Sequence, residues 1–101
     1  MKMLMFARFP HEPFNAAVKD GSVGQKIESI LKELKPEAVY FTETKGHRTA
    51  AMIVELEKSS QVPVLAEPWF LTFNADVEFH VVMDPQDLKE AGLEKLGEKW
   101  G

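Results

Sequence analysis

The 101-residue sequence predicts an α+β fold, with one antiparallel sheet and helices packed on a single face. Three observations carry that reading. Ala38–Leu56 holds β-rich runs on either side of Lys45-Gly46, and a glycine second in a two-residue loop suits a type I′ hairpin. Helix-periodic stretches lie before and after that hairpin, over Ser22–Lys35 and from Ser59 or Ser60 onward. Strand-like runs open and close the series, at Met3–Phe9 and around Val77–Met83.

Met3–Phe9 is apolar on both sides, with Met3, Met5 and Ala7 on one and Leu4 and Phe6 on the other. That is the mark of a central strand covered twice. Pro10 and Pro13 end it. Phe14, Ala17 and Val18 then share a short helical face that stops at Asp20-Gly21, as a kink or as a gap between two helices. Ser22 with Gln25 three residues later is a capping-box signature. Val23, Ile27, Ile30, Leu31 and Leu34 follow at helical spacing, which places Leu31 in the core and Glu33 on the opposite side. Lys32 and Lys35 suit the negative end of this helix, and Pro36 stops it.

Pairing through Lys45-Gly46 sets Thr44 opposite His47, Thr42 opposite Thr49 and Tyr40 opposite Ala51. Val39, Phe41, Ala50, Met52, Val54 and Leu56 then form an apolar floor for helices, while Tyr40, Thr42, Thr49, Ala51, Ile53 and Glu55 make a mixed face. Ser59 or Ser60 caps a helix reaching about Leu71, with Val62, Leu65, Ala66 and Trp69 on its inner side. Pro63 is tolerable in the first turn, whereas Pro68 is expected to bend or shorten the segment. Val77, Phe79, Val81 and Met83 alternate with Glu78, His80 and Val82 in a fourth strand. Asp84-Pro85 opens a C-terminal helix bearing Leu88, Ala91, Leu96 and Trp100, weakened by Gly92 and Gly97.

The order β-α-β-β-α-β is that of the ferredoxin-like split unit, with sheet order 4-1-3-2, helices on one face and a helical tail. Leu4, Phe6, Ile53 and Val82 stay on the face the helices leave bare. Soluble monomers rarely expose apolar patches beyond a few hundred Å². The expected solution is a twofold homodimer, sheet against sheet.

Composition bounds the rest. A chain of this length makes a single domain spanning residues 1–101. A net charge of −4 without a basic stripe argues against a nucleic-acid partner. Without cysteine there are no disulfides, thiolate metal sites or thiol nucleophiles. The apolar part of MKMLMFARFP is too short for a signal peptide, and no stretch approaches the roughly 18 apolar residues of a membrane span. A cytoplasmic protein is expected.

The doubly apolar sheet in a β-α-β-β-α-β plan resembles the dimeric α+β barrel superfamily. The segments EPFNAAVKDGS, KPEAVYFTE, LAEPWFLTFNADVEF and MDPQDL are similar to a family of short, uncharacterised bacterial proteins in that group, AEPWFLTF being the most distinctive part. The resemblance covers most of the chain and implies the fold and the homodimer, but no activity. The superfamily includes muconolactone isomerases, cofactor-independent monooxygenases, much longer dye-decolorising peroxidases and stress-responsive proteins. A fold shared across such chemistries is analogy only.

Candidate site residues gather on the bare face. Arg8 is expected to meet Glu78 across neighbouring strands, with Glu55 on the same side. An arginine between carboxylates reads first as an ion-pair network and second as a binder of a substrate carboxylate. His80 shares its face with Glu78, about 7 Å along the strand, and Tyr40 and Thr42 occupy that face at the other edge. His80 reads either as an interface histidine or as a general base with Tyr40 as proton donor. Trp69, beside Leu65, reads first as core and second as a ligand contact. His11 and His47 are expected to face solvent. No HExxH spacing or phosphate loop occurs, and no cofactor or metal is expected.

Three functions follow. The first is a homodimeric barrel module holding a small apolar or aromatic molecule between helices and sheet. The second is a cofactor-independent isomerase or monooxygenase using His80 and Tyr40. The third is a structural or regulatory interaction protein. A cavity reached by His80, Tyr40 or Arg8 favours the first two, and its absence favours the third.

Overall fold

The computed structural model describes residues 1–101. Strand β1 (Lys2–Arg8) leads into helices α1 (His11–Asp20) and α2 (Val23–Leu34). The hairpin β2 (Ala38–Thr44) and β3 (His47–Glu55) comes next, then α3 (Val62–Phe73), β4 (Asp76–Val81) and the tail helices α4 (Pro85–Glu90) and α5 (Leu93–Trp100). The antiparallel sheet runs β2-β3-β1-β4, which is the ferredoxin-like order read from the other edge.

The hairpin forms in the register read from the sequence: Tyr40 faces Ala51, Thr42 faces Thr49 and Thr44 faces His47. Lys45 and Gly46 both take positive φ, at 54° and 77°, which a type I′ turn requires. That turn fixes which side chains of both strands face the helices.

The core lies between the sheet and α1–α3. Met3, Met5 and Ala7 of β1 meet Ala50, Met52 and Val54 of β3 as its floor. Above them Phe9, Phe14, Trp69 and Phe73 pack as an aromatic cluster, with ring centroids 5.0–5.7 Å apart at the closest pairs. Offset and edge contacts of this kind add to the burial of four large rings.

Asp20-Gly21 is a true gap between helices. Gly21 adopts φ 81° and passes the chain through a left-handed cap, with Ser22 N–H donating to Ala17 O at 3.0 Å. The capping box expected from Ser22 and Gln25 does not form. Ser22 is already in helical conformation, and its N–H bonds the Asp20 carboxylate at 2.8 Å.

Helix α2 packs the expected face on the core, but it turns Ile30 fully inward and leaves Leu31 only half-buried. Helix α3 begins at Val62, because Ser59–Gln61 form a 3₁₀ turn in which Gln61 Oε1 accepts from Glu57 N–H and Lys58 N–H. Helix α3 is not cut short at Pro68 and continues to Phe73. A proline removes one helical hydrogen bond. Burial of Leu65, Ala66, Trp69 and Phe73 along one side offsets that loss. Asn74, at φ 55°, then closes the helix with its N–H on Phe70 O.

The opposite face of the sheet carries no helix. The tail is two helices rather than one, because Gly92 takes a left-handed conformation between them. Every residue of α4 and α5 is exposed, and with the tail extended the molecule is 59 Å long. No helix is long and apolar enough to cross a membrane.

Candidate functional site

Residues paired across antiparallel strands share a face, so the strand register assembles the bare face row by row. One row reads Asp76, Arg8, Thr49, Thr42. The next reads Glu78, Phe6, Ala51, Tyr40, and the third His80, Leu4, Ile53, Ala38. The central strands therefore supply an apolar strip of Leu4, Phe6, Ala51 and Ile53, all half-buried. Polar groups line both edges.

Arg8 organises the end of this face. Its Nε donates to Thr44 Oγ1 at 2.8 Å, and Thr44 Oγ1 lies 2.6 Å from Thr49 Oγ1. The Thr49 hydroxyl also donates to His47 O at 3.0 Å. Thr49 is 1% exposed although no helix covers it, because Arg8 and Thr44 enclose it. Arg8 Nη1 lies 3.8 Å from Glu78 Oε1, so the expected pair forms. Glu55 does not join it. Strand β3 runs antiparallel to β1, and Glu55 stands opposite Lys2 at the other end. With Glu78 beside it and Thr44 on Nε, Arg8 is a network residue, and a ligand carboxylate would compete with Glu78 for it.

Glu78 also holds His80, with Nε2 to Oε2 at 3.2 Å. The imidazole rests edge-on against Phe6, ring centroids 5.9 Å apart. Tyr40 and Thr42 are exposed on β2, Tyr40 at 71%. Strands β3 and β1 lie between β2 and β4. At about 4.8 Å per strand and one row apart along the strands, Tyr40 and His80 stand roughly 16 Å apart. A base and a proton donor acting on one small molecule need hydrogen-bond reach of it, so one chain does not assemble that pair.

Trp69 belongs to neither edge. It is 0% exposed between Phe9 and Phe73 on the far side of the sheet, and its indole Nε1 has no hydrogen-bond partner. Packing of α3 against the sheet puts it there, so it is core and does not contact a surface ligand.

None of the grooves on the surface is lined by Arg8, Tyr40, Thr42, Trp69, Glu78 or His80. The largest, about 600 Å³, lies between α2 and the edge of β2, with Ile27, Leu31 and Phe41 as its apolar walls. Phe41 points to the helix side as expected, yet α2 does not reach over the edge strand and leaves it 54% exposed.

Two arrangements were not read from the sequence. His11 and His47 stack with ring centroids 4.7 Å apart, although the residues are distant in the chain. Arg48 lays its guanidinium 4.6 Å over the Phe14 ring and donates to Asn15 Oδ1 at 2.7 Å, clamping α1 to β3. The only sequence signal for either is strand alternation next to the turn, which sends His47 and Arg48 to opposite faces. No group of three or more histidine or acidic side chains is placed to hold a metal ion. Compared with protein-family models and with curated proteins, the chain matches none.

Proposed function

We propose that the chain works as a homodimeric module of the dimeric α+β barrel type, an interaction protein whose bare sheet face packs against a second copy. The observation that carries this reading is the uncovered strip of Leu4, Phe6, Ala51 and Ile53 between polar edges. An apolar centre with a polar rim is the usual anatomy of a protein interface. Strand spacing and rise give the whole face a footprint on the order of 400 Å², with the apolar strip along its centre. A cytoplasmic setting goes with this reading, in keeping with a chain free of cysteine.

Two observations weigh against the isomerase or monooxygenase reading. Tyr40 and His80 stand at opposite edges, and no groove reaches either. A small apolar or aromatic ligand finds support only in the groove of Ile27, Leu31 and Phe41 between helix and sheet edge.

Sedimentation and light scattering at micromolar concentration test the dimer. Twice the monomer mass is expected for the wild type, and monomer or aggregate for Ile53→Asp, which puts a charge in the apolar strip. A wild type that stays monomeric and binds no hydrophobic dye removes the reading.

A further inference from the structure

The edges of the bare face are unlike. The β4 edge presents Asp76, Glu78 and His80, whereas the β2 edge presents Tyr40, Thr42 and Thr44, none of them charged at neutral pH. Two copies stacked face to face can be related by a twofold axis lying between the sheets in either of two directions. An axis across the strands sets β4 over β4 and brings Glu78 toward the partner's Glu78. An axis along the strands sets β4 over β2 and brings the acidic edge onto the hydroxyl edge. Like charges opposed at an interface are strongly disfavoured, so the charge pattern selects the axis along the strands.

The register then fixes the contact. Glu78, Phe6, Ala51 and Tyr40 occupy one row across the sheet. A twofold axis along the strands keeps each row at its own level and exchanges its ends. Tyr40 of one copy therefore falls on Glu78 of the other, at both ends of the row. We infer that the second copy completes a cluster that one chain leaves open, with Tyr40 of each protomer meeting the Glu78–His80 pair of its partner. This rests on the proposed dimer and adds its orientation and a composite polar site.

Within a chain Glu78 already holds His80 at 3.2 Å, while the Tyr40 phenol is 71% exposed and bonds nothing. A phenol O–H donates to a carboxylate, and an imidazole on the second carboxylate oxygen polarises the same group. The result is a phenol–carboxylate–imidazole chain, present twice per dimer.

Dimer dissociation of Tyr40→Phe, Glu78→Gln and the double variant, followed by sedimentation, tests the arrangement. Both residue changes lie on exposed side chains, so the fold should survive, which near-ultraviolet circular dichroism of the aromatic side chains checks. Each single variant removes the bond at both ends of the row, so it should weaken the dimer about a hundredfold, as two lost charged hydrogen bonds of ~1.4 kcal/mol each would. The double variant should be no weaker than either single one, because both remove the same bond. If Glu78→Gln tightens the dimer and Tyr40→Phe leaves it unchanged, acidic edges face each other and the inference is overturned. Cross-linking gives a second reading in this cysteine-free chain. A short bis-maleimide should join Tyr40→Cys to Glu78→Cys in a mixture of the two proteins. Dimers of Glu78→Cys that link only to each other overturn the orientation while leaving the dimer standing. A monomeric wild type overturns both.

Discussion

Arg8 on β1 reaches over β3 to place its Nε 2.8 Å from Thr44 Oγ1 on β2. The side chain thus ties three strands together and closes over the Thr49 hydroxyl. The guanidinium is held there by hydroxyls on one side and Glu78 on the other. Buried polar groups need that satisfaction, and here hydrogen bonds within the chain supply it.

Thr49→Val should cost about 1–3 kcal/mol in denaturant titrations, since it keeps the shape and leaves Thr44 and the His47 carbonyl short of a partner. Thr42→Val, on an exposed hydroxyl in the same row, should stay within about 0.5 kcal/mol. Equal losses would show that enclosure by Arg8 contributes nothing.

On α2 the sensitive position is Ile30. Ile30→Ala should cost roughly 2–5 kcal/mol, Leu31→Ala clearly less, and Glu33→Ala about 0.5 kcal/mol or below. A reversed order of Ile30 and Leu31 would move the inner face of the helix by one residue.

Trp69→Ala should cost roughly 3–5 kcal/mol by emptying the centre of the aromatic cluster. Trp69→Phe should cost much less, because it also deletes the unpartnered indole N–H. Thermal unfolding of both variants checks the contrast.

The Asp20 carboxyl is held below its ordinary value by Ser22. The Ser22 hydroxyl lies beside it without a fully formed hydrogen bond, the Ser22 N–H donates at 2.8 Å, and Lys26 adds a smaller attraction. A lowered folded-state pKa means the stabilisation is present above the unfolded pKa and fades as pH falls through the folded one. Carbon-detected titration should find Asp20 protonating later on acidification than an unperturbed aspartate, and Ser22→Gly should shrink that difference.

Much of the fold was legible because periodicity and turn chemistry agree. Lys45-Gly46 fixed the hairpin register, and that register placed every residue of the mixed face. Order 4-1-3-2 followed from the sequence of elements. What escaped depended on contacts between distant residues. Pro68 was read by its local penalty, while the buried side of α3 decides the helix. Leu31 and Ile30 both fit the amphipathic stripe, and only the tilt of α2 on the sheet separates them. Glu55 falls beside Arg8 only if β3 runs parallel to β1, and the antiparallel order the elements imply puts it opposite Lys2 instead. For the candidate site, the pairing of Arg8 with Glu78 was legible and the distance between Tyr40 and His80 was not, since two intervening strands set it.

The double apolarity of β1 also bears on how that strand finds its place. In a strand with one oily face, a slip of one residue exposes the wrong side chains and is rejected at once. Here a slipped β1 would still show Leu4 and Phe6 to the helices and Met3 and Met5 outward, with little hydrophobic penalty. Discrimination passes to the strand ends. A slip would turn Arg8 toward Phe14 and Phe73 without Thr44 or Glu78, and would break Lys2 from Glu37, now 3.2 Å away. An uncompensated charge in such a core costs several kcal/mol. Arg8 is thus the register pin of the central strand, a role that holds whether or not any ligand ever meets it.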